Sequence, residues 1–214
     1  MRTILEADAL EKSWSGRRIF SGISLSVERG LTAVSGENGS GKTTLLKILA
    51  FLLRPDSGAV RVRADGENAA GDRRRRAVGW TGPDLAFYED LTGEENLLFF
   101  RRAGGMPVSR DEIRARLAAV GLAAAADRLV GAFSTGMKQR LRLAFATLFD
   151  APILLLDEPA AGLDLPGRET AFRLVEERRR TGAVVLASSD PRDFDRPDAV
   201  VELGGGPETG DGRR

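Results

Sequence analysis

Eight consecutive residues, Gly36-Glu37-Asn38-Gly39-Ser40-Gly41-Lys42-Thr43, fit the spacing G-x-x-x-x-G-K-[ST]. Glycines at this spacing let a backbone close around phosphate without Cβ clashes. Successive amides then form an anion-binding nest, and a helix starting behind them adds its positive end. Lys42 would reach the β and γ phosphates of a nucleotide, and Thr43 would set its hydroxyl on Mg²⁺. Thr44 completes the phosphate-facing run. A Gly-rich turn that merely precedes a helix is the competing reading, but a buried-type strand, Leu31 to Ser35, runs into the loop and an apolar helix, TLLKILAFLL, runs out of it.

A second set of acids lies far along the chain. Ile153 to Leu156 is a buried-type strand that ends in Asp157 and Glu158. Asp157 would be delivered to the metal region, the Walker B role. Glu158 follows at once and can orient or deprotonate an attacking water. Alone, such a strand end could simply meet solvent; beside a phosphate loop, the pair describes nucleotide hydrolysis. The sequence has no His and no Cys. Histidine-based catalysis, disulfides and the usual zinc and iron–sulfur ligands are excluded.

The elements that must position these groups follow a βα pattern. Ile4 to Ala9, Arg18 to Phe20 and Ile23 to Glu28 read as short strands, with further strands near Ala59 to Arg63 and Ala77 to Thr81. The stretch 85–140 is Ala- and Arg-rich and helical; Thr92 with Glu95 and Ser109 with Glu112 match the S/T-x-x-E capping box. Pro166 to Arg180 reads as a helix stopped by Gly182, with Arg178 to Arg180 opposing its negative end. Ala183 to Ser188 and Ala199 to Leu203 read as strands. The expected fold is α/β: a P-loop core with a mainly parallel sheet, a small antiparallel β layer and an inserted helical subdomain. The domain spans 1–203, with 1–84 and 141–203 forming the core, 85–140 the insert, and 204–214 a disordered tail.

Composition narrows the partners. The chain has 214 residues, with 32 Lys+Arg against 31 Asp+Glu. Near-neutral charge gives no electrostatic case for nucleic acid. Arg73 to Arg76 are read as a solvated turn rather than a nucleic-acid patch. The N-terminus lacks a signal-peptide apolar core, and no apolar run approaches the ~20 residues that span a bilayer. A cytoplasmic protein is expected, held at any membrane by a partner.

Phe133-Ser134-Thr135-Gly136-Met137-Lys138-Gln139-Arg140 closely resembles the LSGGQ signature of ATP-binding cassette (ABC) ATPases, with Thr135 in place of a glycine and Met137 in place of the glutamine. Glu158-Pro159-Ala160-Ala161-Gly162-Leu163-Asp164 resembles the family's D-loop. Trp14, 28 residues before Lys42, matches the aromatic that stacks on adenine; a packed strand-end Trp is the alternative. The resemblance runs from about residue 3 to 203. It implies a head-to-tail pair of cassettes, in which Ser134, Thr135, Gly136 and Met137 serve the partner's ATP. YEDLTGEENLLFF and the signature look most like exporter cassettes, nearest the cytochrome-c-maturation heme-exporter subgroup.

Two positions depart from the family. Pro83 stands where a glutamine normally reaches Mg²⁺ and water; Asp84 beside it could substitute through a water, or be an exposed acid. Ser189 stands where a histidine normally contacts the γ-phosphate, and it keeps one neutral donor. The resemblance thus implies a slow or partner-stimulated ATPase using ATP and Mg²⁺, with a second cassette and an integral membrane permease as partners. The permease is expected to dock near Asp84 to Leu91, on Phe87 and Tyr88 unless these pack the insert. A soluble ABC ATPase of assembly or regulation and an ordinary P-loop kinase are the rival readings.

Overall fold

The computed structural model describes residues 2–107 and 109–204; the expected tail at 205–214 lies outside them. The chain alternates strands and helices in the order β1 (Thr3–Trp14), β2 (Arg17–Val27), β3 (Gly30–Ser35), α1 (Lys42–Leu49), β4 (Ser57–Ala64), β5 (Glu67–Asn68), α2 (Gly71–Ala77), β6 (Val78–Thr81), α3 (Gly93–Ala103), α4 (Arg110–Ala119), α5 (Thr135–Ala146), β7 (Ile153–Asp157), α6 (Leu165–Thr181), β8 (Ala183–Ser188) and β9 (Ala199–Glu202). Single helical turns sit at Ala123–Ala125, Val130–Ala132 and Pro191–Asp193.

Two sheets result. One has the order β6-β7-β8-β3-β9, and its strand pairs are all parallel. Its central strands β7 and β8 are buried at every position, as expected when helices cover both faces. The other, β2-β1-β4-β5, is antiparallel. Its long strand β1 alternates buried and open residues until Ala9, whose φ of 46° marks a bulge where the register shifts. Arg17–Val27 is one continuous strand, where the sequence suggested two.

Helix α1 lies in the core between the sheets. Its Leu45, Leu46, Ile48 and Leu49 pack with Leu5, Leu10, Phe20 and Val62 of the antiparallel sheet and with Val34, Leu155 and Val185 of the parallel one. The opposite face of the parallel sheet buries Leu154, Leu156, Val184 and Leu186 under Ala146 of α5 and Val175 of α6. A separate cluster joins α3, α4 and α5 through Leu97, Leu98, Ile113, Leu117, Leu141 and Leu143.

Caps explain the helix starts. Thr92 and Glu95 form the reciprocal capping box at α3. Ser109, Ser134 and Asp164 each accept a backbone N–H at the start of α4, α5 and α6. The arginine run 73–76 is helix α2, not a turn. Arg74 covers the Phe51 ring, and Arg75 pairs with Asp72. Among the described residues no helix is long and apolar enough to cross a membrane.

Candidate functional site

Parallel strands bring their C-terminal ends to one edge, and register decides what meets there. Ser35 pairs with Ser188, and Asp157 pairs with Ala187. The loop after β3, the acids Asp157 and Glu158 at the end of β7 and the serines Ser188 and Ser189 at the end of β8 therefore share one edge. Strand β6 runs parallel beside β7 and leads into Gly82 and Pro83.

The loop Gly36–Gly41 carries three positive φ values: Gly36 at 152°, Gly39 at 83° and Gly41 at 100°. A side chain at Gly36 would meet the Leu203 carbonyl at 2.7 Å and Ser40 Oγ at 2.6 Å. Lys42 is buried, and its ammonium donates inward to the carbonyls of Gly36 at 2.8 Å and Glu37 at 3.0 Å. The cation thus closes the loop on itself, at the place where phosphate oxygens would compete for it. Arg17, Arg18, Ile19, Glu37, Asn38, Gly39 and Ser40 line a cavity over the loop.

Asp157 is 1 % exposed, and among the described residues neither carboxylate oxygen has a partner at full hydrogen-bond geometry, the Thr43 hydroxyl lying nearby; Ser40 Oγ is likewise buried without a partner among them. Burial pushes the Asp157 carboxyl up, the nearby Thr43 hydroxyl pulls it down, and the charge of Glu158 raises it again. Buried polar atoms without partners are uncommon in native proteins. An unpaired aspartate beside the Thr43 hydroxyl fits a magnesium ion, which takes one or two protein ligands and completes its shell with phosphate and water.

Glu158 holds a left-handed backbone, φ 49°, a strain of roughly 1–3 kcal/mol for a residue that is not glycine. Its carboxylate is turned toward the end of β8. Oε1 accepts the Ser189 backbone N–H at 2.9 Å, and Oε2 lies 3.2 Å from the Ser188 hydroxyl. That hydroxyl is also 2.6 Å from Asp193 Oδ2 and accepts the Asp190 N–H at 3.0 Å. Arg168 of α6 pairs with Asp193 at 2.6 Å. Ser188, Asp193 and Arg168 were not singled out by the sequence, although a serine pair at a strand end was a usable signal.

Of the remaining candidates, Trp14 ends β1 half exposed, and the Lys12 ammonium lies 4.9 Å from its ring centroid. Lys12 is itself tied to Asp56 at 2.6 Å, so the indole is braced from one side. Asp84 pairs with Lys47 of α1, and its charge also reaches Asp157, whose carboxyl it helps to push up. Phe87 and Tyr88 separate. Phe87 packs edge-on to Phe100 and Phe145, whereas Tyr88 is 52 % exposed against Phe99.

Ser134 and Thr135 are exposed at the start of α5, with Gly136 and Met137 behind them. Ser134, Gly136 and Met137 line a second cavity with Gly121, Arg140, Gly162 and Asp164, and Arg140 pairs with Asp164 at 2.6 Å. Among the described residues, none lines both this cavity and the one over Glu37–Ser40. The structure therefore brings the loop, Thr43, Asp157, Glu158 and Ser189 together, and sets the 134–137 group in a different cavity.

Comparison with known proteins agrees with this anatomy. The family model described as ABC transporter matches residues 20–161. The daunorubicin/doxorubicin resistance ATP-binding protein DrrA of Streptomyces peucetius is 36% identical over 188 residues, covering 86% of this chain and 57% of that protein. The chain thus spans little more than half of that relative's length. The cytochrome c biogenesis ATP-binding export protein CcmA of Xanthomonas oryzae pv. oryzae is 38% identical over 192 residues, covering 87% of this chain and 86% of the relative. A solved ATP-binding subunit of an ABC transporter superposes with a TM-score of 0.80 at 26% identity, over 94% of this chain and 85% of that one. The parallel sheet with its phosphate loop, the antiparallel layer and the helical cluster ending in a capped Ser-Thr-Gly turn are the parts of one known cassette, and the chain belongs to the ABC transporter ATP-binding family.

Proposed function

We propose that this chain is the ATP-hydrolysing cassette of a membrane exporter and works as one of two cassettes, each completing the other's ATP site. Family membership implies ATP binding and hydrolysis; pairing, export and the residue roles are the reading offered here. The observation that carries it is the separation of the Gly36–Gly41 cavity from the Ser134–Met137 cavity. Each is half of a site. The exposed start of α5, with Ser134 as its cap, presents backbone N–H groups and a positive helix end to whatever approaches.

Lys42 and the loop amides take the β and γ phosphates, and Trp14 takes the adenine ring. Thr43 and Asp157 would hold magnesium, which would supply positive charge to offset that of the phosphates. Glu158 orients the attacking water, and Ser189 offers its hydroxyl to the γ-phosphate. Asp164 ties the D-loop to the signature helix through Arg140. The division into a core of 1–84 and 141–203 with a helical insert at 85–140 belongs to the same proposal: residues 97–133 pack in a cluster distinct from the two sheet-facing ones, and Leu141, Leu143, Ala144, Leu148 and Ala171 of the core complete it. The exposed Tyr88 and the groove of Pro83, Asp84, Leu85 and Lys138 are where a permease subunit would seat, which would hold the cassette at the inner face of the membrane. CcmA is an export protein by name, which favours export over a soluble role.

Hydrolysis is expected to be slow without that partner. Loss of one preorganised donor at a developing anionic centre costs roughly 10²–10³ in turnover, and Ser189 replaces a charged donor by a neutral one. The test is a titration of wild type and Lys42→Ala with MgATP, read by nucleotide binding and phosphate release. Wild type should bind and slowly hydrolyse, and the variant should do neither. Equal affinity in the two proteins would remove the phosphate-loop assignment.

A further inference from the structure

The segment 82–91 passes from β6 to α3, and its backbone is gripped by one side chain. Arg142, in the middle of α5, donates from Nε to the Leu85 carbonyl and from Nη2 to the Pro83 carbonyl, both at 3.2 Å. Its Nη1 donates to Gln139 Oε1 at 3.1 Å, one turn earlier on the same helix. Burial lowers the Arg142 pKa and no carboxylate offsets it. A partly buried guanidinium held only by carbonyl oxygens is an orienting device more than a source of stability.

Gln139 is buried, and its amide is oriented by this contact. With Oε1 committed to the guanidinium, Nε2 must face the other way. There it donates to the Glu158 carbonyl at 3.0 Å and the Pro159 carbonyl at 3.1 Å. The Glu158 peptide is the one with the left-handed φ. Two side chains in series, Arg142 and Gln139, thus connect the carbonyls of Pro83 and Leu85 to the strained peptide that aims the carboxylate. In the family pattern a glutamine at position 83 would serve the metal region itself; here a proline offers only its carbonyl, and Arg142 takes it.

We propose that Arg142 and Gln139 are a positioning pair that transmits the position of the 83–85 backbone to the Glu158 peptide. The proposal rests on the reading of Glu158 as the water-orienting carboxylate. A partner that moves the 83–85 backbone then changes the aim of Glu158 without touching the nucleotide. Neither side chain contacts substrate, so both should affect turnover and leave nucleotide affinity alone.

The test is a double-mutant cycle on the purified full chain, with Arg142→Met, Gln139→Met and the double variant. Single-turnover phosphate release, KM for ATP and thermal unfolding are measured for each. Each single variant should lower the hydrolytic rate about tenfold, the size of one well-placed hydrogen bond to a charged or strained group, with KM unchanged. The double variant should be no slower than the slower single, because both act through one amide. Arg142→Lys, which keeps the charge but cannot span three acceptors, should fall between wild type and Arg142→Met. Gln139→Glu keeps volume and provides a second route if Gln139→Met does not fold; it turns an acceptor toward two carbonyls and should also slow release. Multiplicative losses in the cycle, KM rising with the rate loss, or rates that follow thermal stability alone would overturn the pair. Lys42→Ala is the control: if it hydrolyses like wild type, the catalytic reading has failed; if it is silent and the cycle is multiplicative, only the positioning pair has.

Discussion

The phosphate loop and the Glu158 peptide stand on the same sheet edge, yet they are built in opposite ways. At the loop, the groups proposed to face phosphate all lie in the single run 36–44, and Lys42 closes the loop through the carbonyls of Gly36 and Glu37. At Glu158 the backbone is held by Gln139 of α5, and the carboxylate by Ser188 and Ser189 at the end of β8. The first is a local device with a spacing that can be read. The second is assembled from distant parts of the chain, and its members carry no motif. Local devices bind; assembled ones can be adjusted by whatever moves their members.

The comparison is tested most severely at Asp157, which lies beside Thr43 and Lys42 of the loop but sits on the strand leading to Glu158. Its folded-state pKa is raised. Ionisation therefore costs stability in the nucleotide-free protein, and this contribution is lost as pH rises from the ordinary carboxylate pKa through the raised one. Asp157→Asn should remove the magnesium dependence of nucleotide binding and reduce hydrolysis by about 100-fold or more. The same change should raise the midpoint of unfolding near neutral pH, where ~1 kcal/mol is worth roughly 2–4 °C in a domain of this size. Calorimetry from pH 4 to 8 without nucleotide checks the sign. A variant less stable than wild type at pH 8 would show that the buried carboxylate is not a cost.

A smaller effect is expected at Ser188. Its hydroxyl can give its proton to Asp193 or to Glu158 but not to both. Ser188→Ala removes the choice, leaving Glu158 on the Ser189 N–H alone. The rate should fall about tenfold, worth ~1.4 kcal/mol, with ATP affinity unchanged by equilibrium titration. No change in rate would mean that Ser188 serves only Asp193.

The smallest effect is expected from restoring a charged donor. Ser189→His keeps the backbone N–H that Glu158 accepts and adds a cationic group to the γ-phosphate position. Turnover should rise by about tenfold at most, since the neutral hydroxyl already covers part of the loss. Pro83→Gln alone should do less, because the Pro83 carbonyl is part of the Arg142 grip. A wild-type rate unchanged by both Ser189→His and Ser189→Ala would show that another residue holds the γ-phosphate.

Much of this architecture was legible in the sequence, for physical reasons that can be named. The β3–loop–α1 unit was readable because glycine spacing, a buried strand and an apolar helix are all local. The capping boxes at Thr92 and Ser109 located α3 and α4, although only the first is reciprocal in the structure. Arg73 to Arg76 misled: four cations in a row suggested a solvated turn, but Arg74 gains the Phe51 face and α2 forms. Asp84 was read with reference to the metal region; its partner Lys47 is 37 residues away and had no local signal. Arg142 was invisible for the same reason, since its acceptors are backbone carbonyls 57 and 59 residues distant.

The central claim is that two cassettes share each ATP, and Glu158→Gln tests it most directly. The substitution removes the carboxylate proposed to orient water while leaving Lys42, the loop and the Ser134 turn in place. Purified Glu158→Gln protein is sized by light scattering without nucleotide, with MgATP, and with MgATP after a further Ser134→Arg change at the exposed start of α5. The account predicts a monomer without nucleotide, a dimer with MgATP, and a monomer that still binds ATP when Ser134 is replaced. A protein that binds MgATP yet stays monomeric even with its membrane partner present, or a dimer indifferent to Ser134→Arg, would contradict the shared site.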